Sequence, residues 1–243
     1  VALALRPLHH GLEHIGARVV QSVVIQIVAP ERAHNLDVVL GLENRVVYDI
    51  ADVIDNRCRV RQALVEAVRN GLYLLPSAHG YLGEKVTAQN LKLILKSLAV
   101  TFDYALVDCP AGIETGFKRA VTACERAIVV TTPHISAIRD ASKVVTLLGS
   151  YRITPTVVVN RVRGDLLADG RIPTADEISA ILNGEVDGVI PETDEVYGVN
   201  VSQKKPFELL ARRIVYGVGE TLDPAAKYRG IRGFFKRKMR GNA

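Results

Sequence analysis

An aspartate closing a short apolar run is the first residue whose surroundings suggest chemistry. Tyr104-Ala105-Leu106-Val107 reads as a buried parallel strand with Asp108 at its carboxyl end. Pro110-Ala111-Gly112 then turns into the next segment. A carboxylate in that position can hold Mg²⁺ through water, because Mg²⁺ favours one or two carboxylates plus substrate phosphates. Gly112 can offer its backbone N–H to a terminal phosphate, since no Cβ blocks the approach. Asp108 and Gly112 are therefore the candidate catalytic residues, with Asp108 also the candidate metal residue. A strand that merely ends in an Asp turn is an equally good reading of these residues taken alone.

Three other strand ends carry polar groups: Thr131-Thr132-Pro133, Asn160-Arg161 and Pro191-Glu192. The Asn160 amide can both donate to and accept from a base edge, as adenine recognition requires. By itself, its chemistry favours a loop-capping asparagine.

These groups can share a site only if parallel strands deliver them to one edge, which is where open α/β sheets bind ligands. The sequence predicts such a sheet. Strand Tyr104–Val107 leads to a helix near Glu114–Cys124, and strand Ala127–Thr131 to a helix near Ser136–Gly149. Strand Thr156–Val159 precedes a helix from Thr174, strand Val186–Ile190 precedes one near Glu192, and a last helix runs from Pro206 to about Val218. Upstream, Leu72–Leu75 reads as a strand, Thr87 caps a helix to about Leu98, and Gln62–Val68 reads as helical. Arg18–Val28 is rich in β-branched residues and is a strand candidate, and Gly11–Gly16 reads as a helix end. The apolar run Val1–Leu5 stops at Pro7 without an assigned element. The alternation predicts a doubly wound, mostly parallel α/β sheet.

Composition agrees. Apolar residues make up 48% of the chain against 5% aromatic, a balance that suits a sheet covered by helices. Cys58, Cys109 and Cys124 have no metal-ligand spacing, so a reducing compartment is expected. No signal peptide and no membrane-length apolar run is visible. The net charge of +5 is concentrated at one end, with seven Lys or Arg and no acid between Lys227 and Arg240.

That end reads as an interfacial amphipathic helix. Ile231, Phe234, Phe235 and Met239 fall on one helical face, while Lys236, Arg237 and Lys238 lie among the cations of the other. Burial gives roughly 1.5–3 kcal/mol per large apolar side chain, and each cation near an anionic surface about 1 kcal/mol. Ordering the segment costs roughly 1–2 kcal/mol per residue. The near cancellation predicts weak binding by one tail and much stronger binding by two linked tails. A solvated basic tail and a nucleic-acid arm are the alternatives.

The order of motifs resembles the MinD branch of the MinD/ParA deviant Walker A P-loop ATPases. The matching stretches are NLDVVLGLENRVVYDIADVI (Asn35–Ile54), DCPAGIETG (Asp108–Gly116), SAIRDASKV (Ser136–Val144), VNR (Val159–Arg161), GVIPE (Gly188–Glu192) and the Phe-containing basic tail. The resemblance implies Asp108 as the Walker B aspartate near Mg²⁺, and Pro110, Ala111 and Gly112 as a switch that senses the terminal phosphate. It further implies Asn160 and Arg161 beside adenine, Pro191 in the loop over the base, and Asp140 as a contact to the partner subunit. The implied cofactors are ATP and Mg²⁺. The implied partners are a second copy of the chain in an ATP-dependent homodimer, a MinC-like inhibitor, a MinE-like or equivalent topological factor, and anionic membrane lipids. Nucleic acid is not an expected partner. The implied location is the cytoplasm, peripheral to the inner face of the cell membrane, and the implied role is placement of the division septum.

The family's Gly-rich loop is not found. The 243 residues contain no Gly-Lys dipeptide and no G-x-x-x-x-G-K-[ST]. GLEHIGARVV (Gly11–Val20) is similar to the family's passage from its first helix into its second strand, so the chain is expected to begin after the P-loop and the strand before it. Gln21–His34 then replaces the first switch, with Val28, Pro30 and Glu31 where the family has aspartates. The expected organisation is an atypical segment over 1–34, a nucleotide-binding α/β domain over 35–222 and a membrane-targeting tail over 223–243. Losing one preorganised donor costs on the order of 3–4 kcal/mol of transition-state stabilisation. Without the whole loop, hydrolysis and most nucleotide affinity are expected to be lost. The competing readings are a ParA-like or flagellar-number relative, and a non-enzymatic membrane scaffold with a degenerate nucleotide site.

Overall fold

A computed structural model describes residues 2–7, 22–26, 36–42, 44–67, 71–77, 85–109, 113–192 and 204–230. There are two compact units, Val1–Ala127 with Ser150–Ile153, and Ile128–Gly149 with Thr154–Ala243.

The first unit contains β1 (Ala2–Pro7), β2 (Ser22–Gln26), α1 (Leu36–Leu40), α2 (Ile50–Ile54), α3 (Val60–Ala63), β3 (Val65–Glu66), β4 (Leu72–Leu75), α4 (Ala88–Leu98), β5 (Tyr104–Asp108) and α5 (Thr115–Ala123). Its strands are ordered β3-β4-β2-β5-β1. β2 runs parallel to both β4 and β5, while β3 and β1 pair antiparallel on either side. The helices form where caps and apolar spacing coincide. The Thr87 hydroxyl accepts the Asn90 N–H at 3.1 Å, and α4 buries Leu91, Ile94, Leu95 and Leu98 at helical spacing. Asp49 and Asp52 form a reciprocal capping box on α2. α5 contributes Ala120 and Ala123 to the same core, and Tyr73 meets Phe102 edge-on with centroids 5.3 Å apart.

Two readings change here. The helical expectation over Gln62–Val68 is corrected: α3 ends at Ala63, and Val65–Glu66 pair with Leu74 and Tyr73 as β3. A β-branched residue next to an open strand edge gains more from ladder hydrogen bonds than from another helical turn. The apolar run after Val1 forms β1, with Leu3 opposite Asp108 and Pro7 opposite Tyr104. Gly11–Gly16 lies outside the described residues.

The second unit holds β6 (Arg126–Thr131, which starts at the boundary), α6 (Ile135–Ser150), β7 (Thr156–Val162), α7 (Gly164–Ala168), α8 (Ala175–Leu182), β8 (Val186–Pro191) and α9 (Lys204–Tyr216). β6, β7 and β8 are parallel in that order. Val157, Val158 and Val159 are all buried, the continuous apolar run of a strand covered on both faces. Thr174 and Glu177 form the capping box of α8, and Asn183 closes it in the left-handed region at φ 51°. α9 lies flush on β8, where a Cβ on Gly188 would come within 2.6 Å of the Leu210 Cδ1. The helix expected near Glu192 falls on residues outside those described, and α7 was not anticipated. Among the described residues, no helix is long and apolar enough to cross a membrane.

Candidate functional site

The β5 end is built by strand pairing. Asp108 is opposite Gln26 on β2 and Leu3 on β1, so the carboxylate sits at the carboxyl end of a strand paired on both sides. It is half-buried, and burial raises its pKa above the ordinary carboxylate value, because the charged form loses hydration. Cys109 next to it is buried, with its Sγ donating to the Val107 carbonyl at 3.5 Å. Pro110, Ala111 and Gly112 lie outside the described residues. The chain continues at Ile113 and Glu114, and Glu114 is the N-cap position of α5.

The second polar end belongs to β7 and β8. From Val159 to Val162 the chain advances three residues while β8 advances two, from Val189 to Pro191, so β7 carries a bulge. Arg161 takes φ +59° there, a left-handed conformation rare for a residue with a side chain. Local hydrogen bonds hold it. The Arg161 N–H donates to Asn160 Oδ1 at 2.9 Å, and its Nε and Nη2 both donate to Glu192 Oε1, at 3.0 and 2.9 Å. The Glu192 N–H donates in turn to the Val162 carbonyl at 3.0 Å. Asn160 and Arg161 thus lie at the same strand end as Pro191, which pairs with Val162. The expectation that β7 ends at Val159 is corrected, since pairing resumes beyond the bulge. Asn160 performs the capping role that its chemistry favours. Its Nδ2 donor and the second lone pair of its carbonyl oxygen are what it can offer a ligand.

Sequence reasoning missed three partners. Glu192 was named as a strand end and not as the group orienting Arg161; the two are 31 residues apart, so no local periodicity links them. Arg163 and Asp165 pair at the start of α7, with the Asp165 side chain only 6% exposed. The Arg163 guanidinium hydrogen-bonds this carboxylate and holds its pKa below the usual range. At β8, the extra residue Asp187 accepts the Val157 N–H at 2.8 Å and faces Arg213 at 3.4 Å, so that bulge is also closed by a side chain.

Asp140 stands apart on α6, 74% exposed and ion-paired to Lys143 at 2.9 Å. The Thr131 hydroxyl donates to the Thr132 carbonyl at 3.3 Å. The apolar and basic tail residues Ile231, Phe234, Phe235, Lys236, Arg237, Lys238 and Met239 lie outside the described residues.

The donor set fits a nucleotide in part. Among the described residues there is no cluster of three acidic, His or Cys side chains able to hold a metal by itself. One half-buried carboxylate is nevertheless a hard oxygen donor of the kind that assists Mg²⁺ already carried by phosphates. A cation there would also offset the desolvation that raises the pKa of Asp108. The Lys-bearing phosphate loop is not in this sequence.

No family model matches the chain. Among curated proteins it is 45% identical over 166 residues to the septum site-determining protein MinD of Bacillus subtilis, covering 67% of this chain and 62% of that protein. It is 40% identical over 195 residues to MinD of Thermotoga maritima, covering 74% of this chain and 72% of that protein. Among solved structures, MinD in the MinC:MinD cell division complex of Aquifex aeolicus superposes with a TM-score of 0.63 at 36% identity, covering 72% of this chain and 70% of that one. MinD of Pyrococcus horikoshii complexed with Mg-ADP gives a TM-score of 0.60 at 26% identity, covering 71% and 69%. The chain therefore spans a little under two thirds of the Bacillus subtilis relative's length and somewhat more of the others. With the α/β architecture and the strand-end residues, this similarity establishes that the chain belongs to the MinD family of septum site-determining proteins.

Proposed function

We propose that this chain regulates placement of the division septum as a MinD-type protein that associates with the inner face of the cell membrane, and that these 243 residues alone are impaired in ATP hydrolysis. The observation that carries the reading is Asp108, half-buried at the carboxyl end of paired β5 and followed by the switch-like Pro110-Ala111-Gly112. The Mg-ADP bound by the Pyrococcus horikoshii relative supports ATP and Mg²⁺ as the ligands. When bound, Mg²⁺ would supply charge neutralisation at the phosphates. Asp108 would orient it through water. The Aquifex aeolicus complex supports a MinC-like inhibitor as partner. A MinE-like or equivalent factor, self-association through Asp140 and lipid contact through Phe234 and Phe235 complete the proposal.

Two measurements on the purified 243-residue chain test it. Isothermal titration is expected to show at most weak Mg·ATP binding, and tight Mg²⁺-dependent binding would overturn the impairment. Sedimentation with vesicles containing phosphatidylglycerol is expected to be abolished by the double change Phe234→Glu, Phe235→Glu; unchanged sedimentation would rule out tail-mediated attachment.

A further inference from the structure

The residues just ahead of the basic tail are packed onto α7. Pro224, Ala225 and Tyr228 are buried, while Ala226, Lys227 and Arg229 between and beside them are exposed. This three-residue spacing is that of the 3₁₀ turn at Ala226–Tyr228, where the Tyr228 N–H donates to the Ala225 carbonyl at 2.8 Å. The receiving surface is shaped for this segment. A Cβ on Gly164, the first residue of α7, would come within 2.1 Å of the Pro224 carbonyl oxygen and 2.9 Å of the Tyr228 Cε2. Only glycine permits that approach. The Arg163–Asp165 pair on either side of Gly164 fixes the start of the helix.

Other features leave this docking easy to undo. A cavity of about 310 Å³ lies next to it, lined by Val159, Val162, Leu167, Ile178, Leu222 and Pro224 among others, so among the described residues this side of the segment is not close-packed. The Arg229–Asp223 ion pair that closes the strap is 68% and 43% exposed, which makes it cheap to break. The sequence gives Tyr228 a second apolar environment. Tyr228, Ile231, Phe235 and Met239 are spaced i, i+3, i+7 and i+11, one face of the helix expected from the tail.

We propose that Thr221–Tyr228 is a latch: docked on Gly164, it holds the root of the tail and sequesters Tyr228, and its release hands Tyr228 to the membrane-binding face. The purpose of the latch rests on the membrane reading of the tail; its existence does not.

The test uses the full chain and two variants. Gly164→Ala pushes Pro224 and Tyr228 off α7 while leaving the tail intact. Tyr228→Ser empties the docking site and also removes the residue from the membrane face. Trypsin cleavage after Lys227, quantified by mass spectrometry, is expected to rise about tenfold in both, because cleavage follows the undocked population. Sedimentation with phosphatidylglycerol vesicles is expected to rise at least about twofold for Gly164→Ala, and not for Tyr228→Ser. Cleavage unchanged in both variants overturns the latch. Faster cleavage with vesicle binding of Gly164→Ala no greater than that of the native chain overturns the handover. Faster cleavage with no vesicle binding by any form supports the latch and refutes the membrane reading instead. If Gly164→Ala loses the circular-dichroism signal of the folded chain, Tyr228→Ser decides the matter by its cleavage rate.

Discussion

The two polar strand ends are built in opposite ways. At the end of β5, Asp108 is held half-buried against its own ionisation, with burial pushing its pKa up. At the ends of β7 and β8 the polar groups satisfy one another: Asn160 caps Arg161, Glu192 binds its guanidinium, and Arg163 ties down Asp165. The first arrangement costs stability, a cost that a nearby cation would offset. The second contributes stability and shapes the backbone, including a left-handed arginine that would otherwise be strained. A carboxylate kept at a disadvantage therefore points to ligand chemistry more strongly than a carboxylate in a closed network.

Asp165 offers the largest test of this contrast. Asp165→Asn should lower unfolding free energy by about 1–2 kcal/mol, since charged hydrogen bonds are lost beside a partly exposed arginine. Its depressed pKa also sets a direction with pH. The folded state favours the ionised form, so the contribution is present at neutral pH and is lost as pH falls below 3.8 through the lowered native value. Denaturant melts of both proteins between pH 7 and acid should converge at low pH. A constant gap would mean that the pair is not the source.

Asp108 should behave in the opposite sense. With its pKa raised, the folded state binds the proton more tightly, so this carboxylate reduces stability as pH rises above 3.8, levelling off beyond the native value. Asp108→Asn should accordingly stabilise the chain at neutral pH by roughly 0.5 kcal/mol, and that gain should vanish in acid. A loss of stability on this change would place Asp108 in a structural network like that of Asp165.

How much of this was legible follows from the range of the interactions. The strand Leu72–Leu75, the Thr87 cap and the alternation from Tyr104 onward were readable because each depends on neighbours within a turn or two. The β7 extension was not, because it depends on a bulge whose register is set by a strand 30 residues away. Glu192 and Asp165 were missed for related reasons. An isolated charge gives no sign of its partner, and Asp165 sits in a short helix that no apolar period announces. Val65 was misassigned because the strand edge that claims it comes later in the chain. Asp108 and Gly112 were nominated by strand-end chemistry, whereas Arg161, Pro191 and Asp140 came from motif order, and local physics left Asn160 with its capping role and no more.

The smallest expected effect sharpens the contrast from outside both ends. Asp140 and Lys143 are 74% and 68% exposed on α6, three residues apart on one helical face. Pairs of this kind contribute about 0.3–0.5 kcal/mol, so Asp140→Ala should barely move the melting transition. That makes it a clean probe of self-association, because a change in dimer formation could not be blamed on unfolding. If Asp140 meets a second copy of the chain, sedimentation velocity should show weaker association in Asp140→Ala with the melting curve unmoved, and Lys143→Ala should not reproduce it. Equal effects from both substitutions would assign the change to the helix surface as a whole, and Asp140 would then be an ordinary solvated acid.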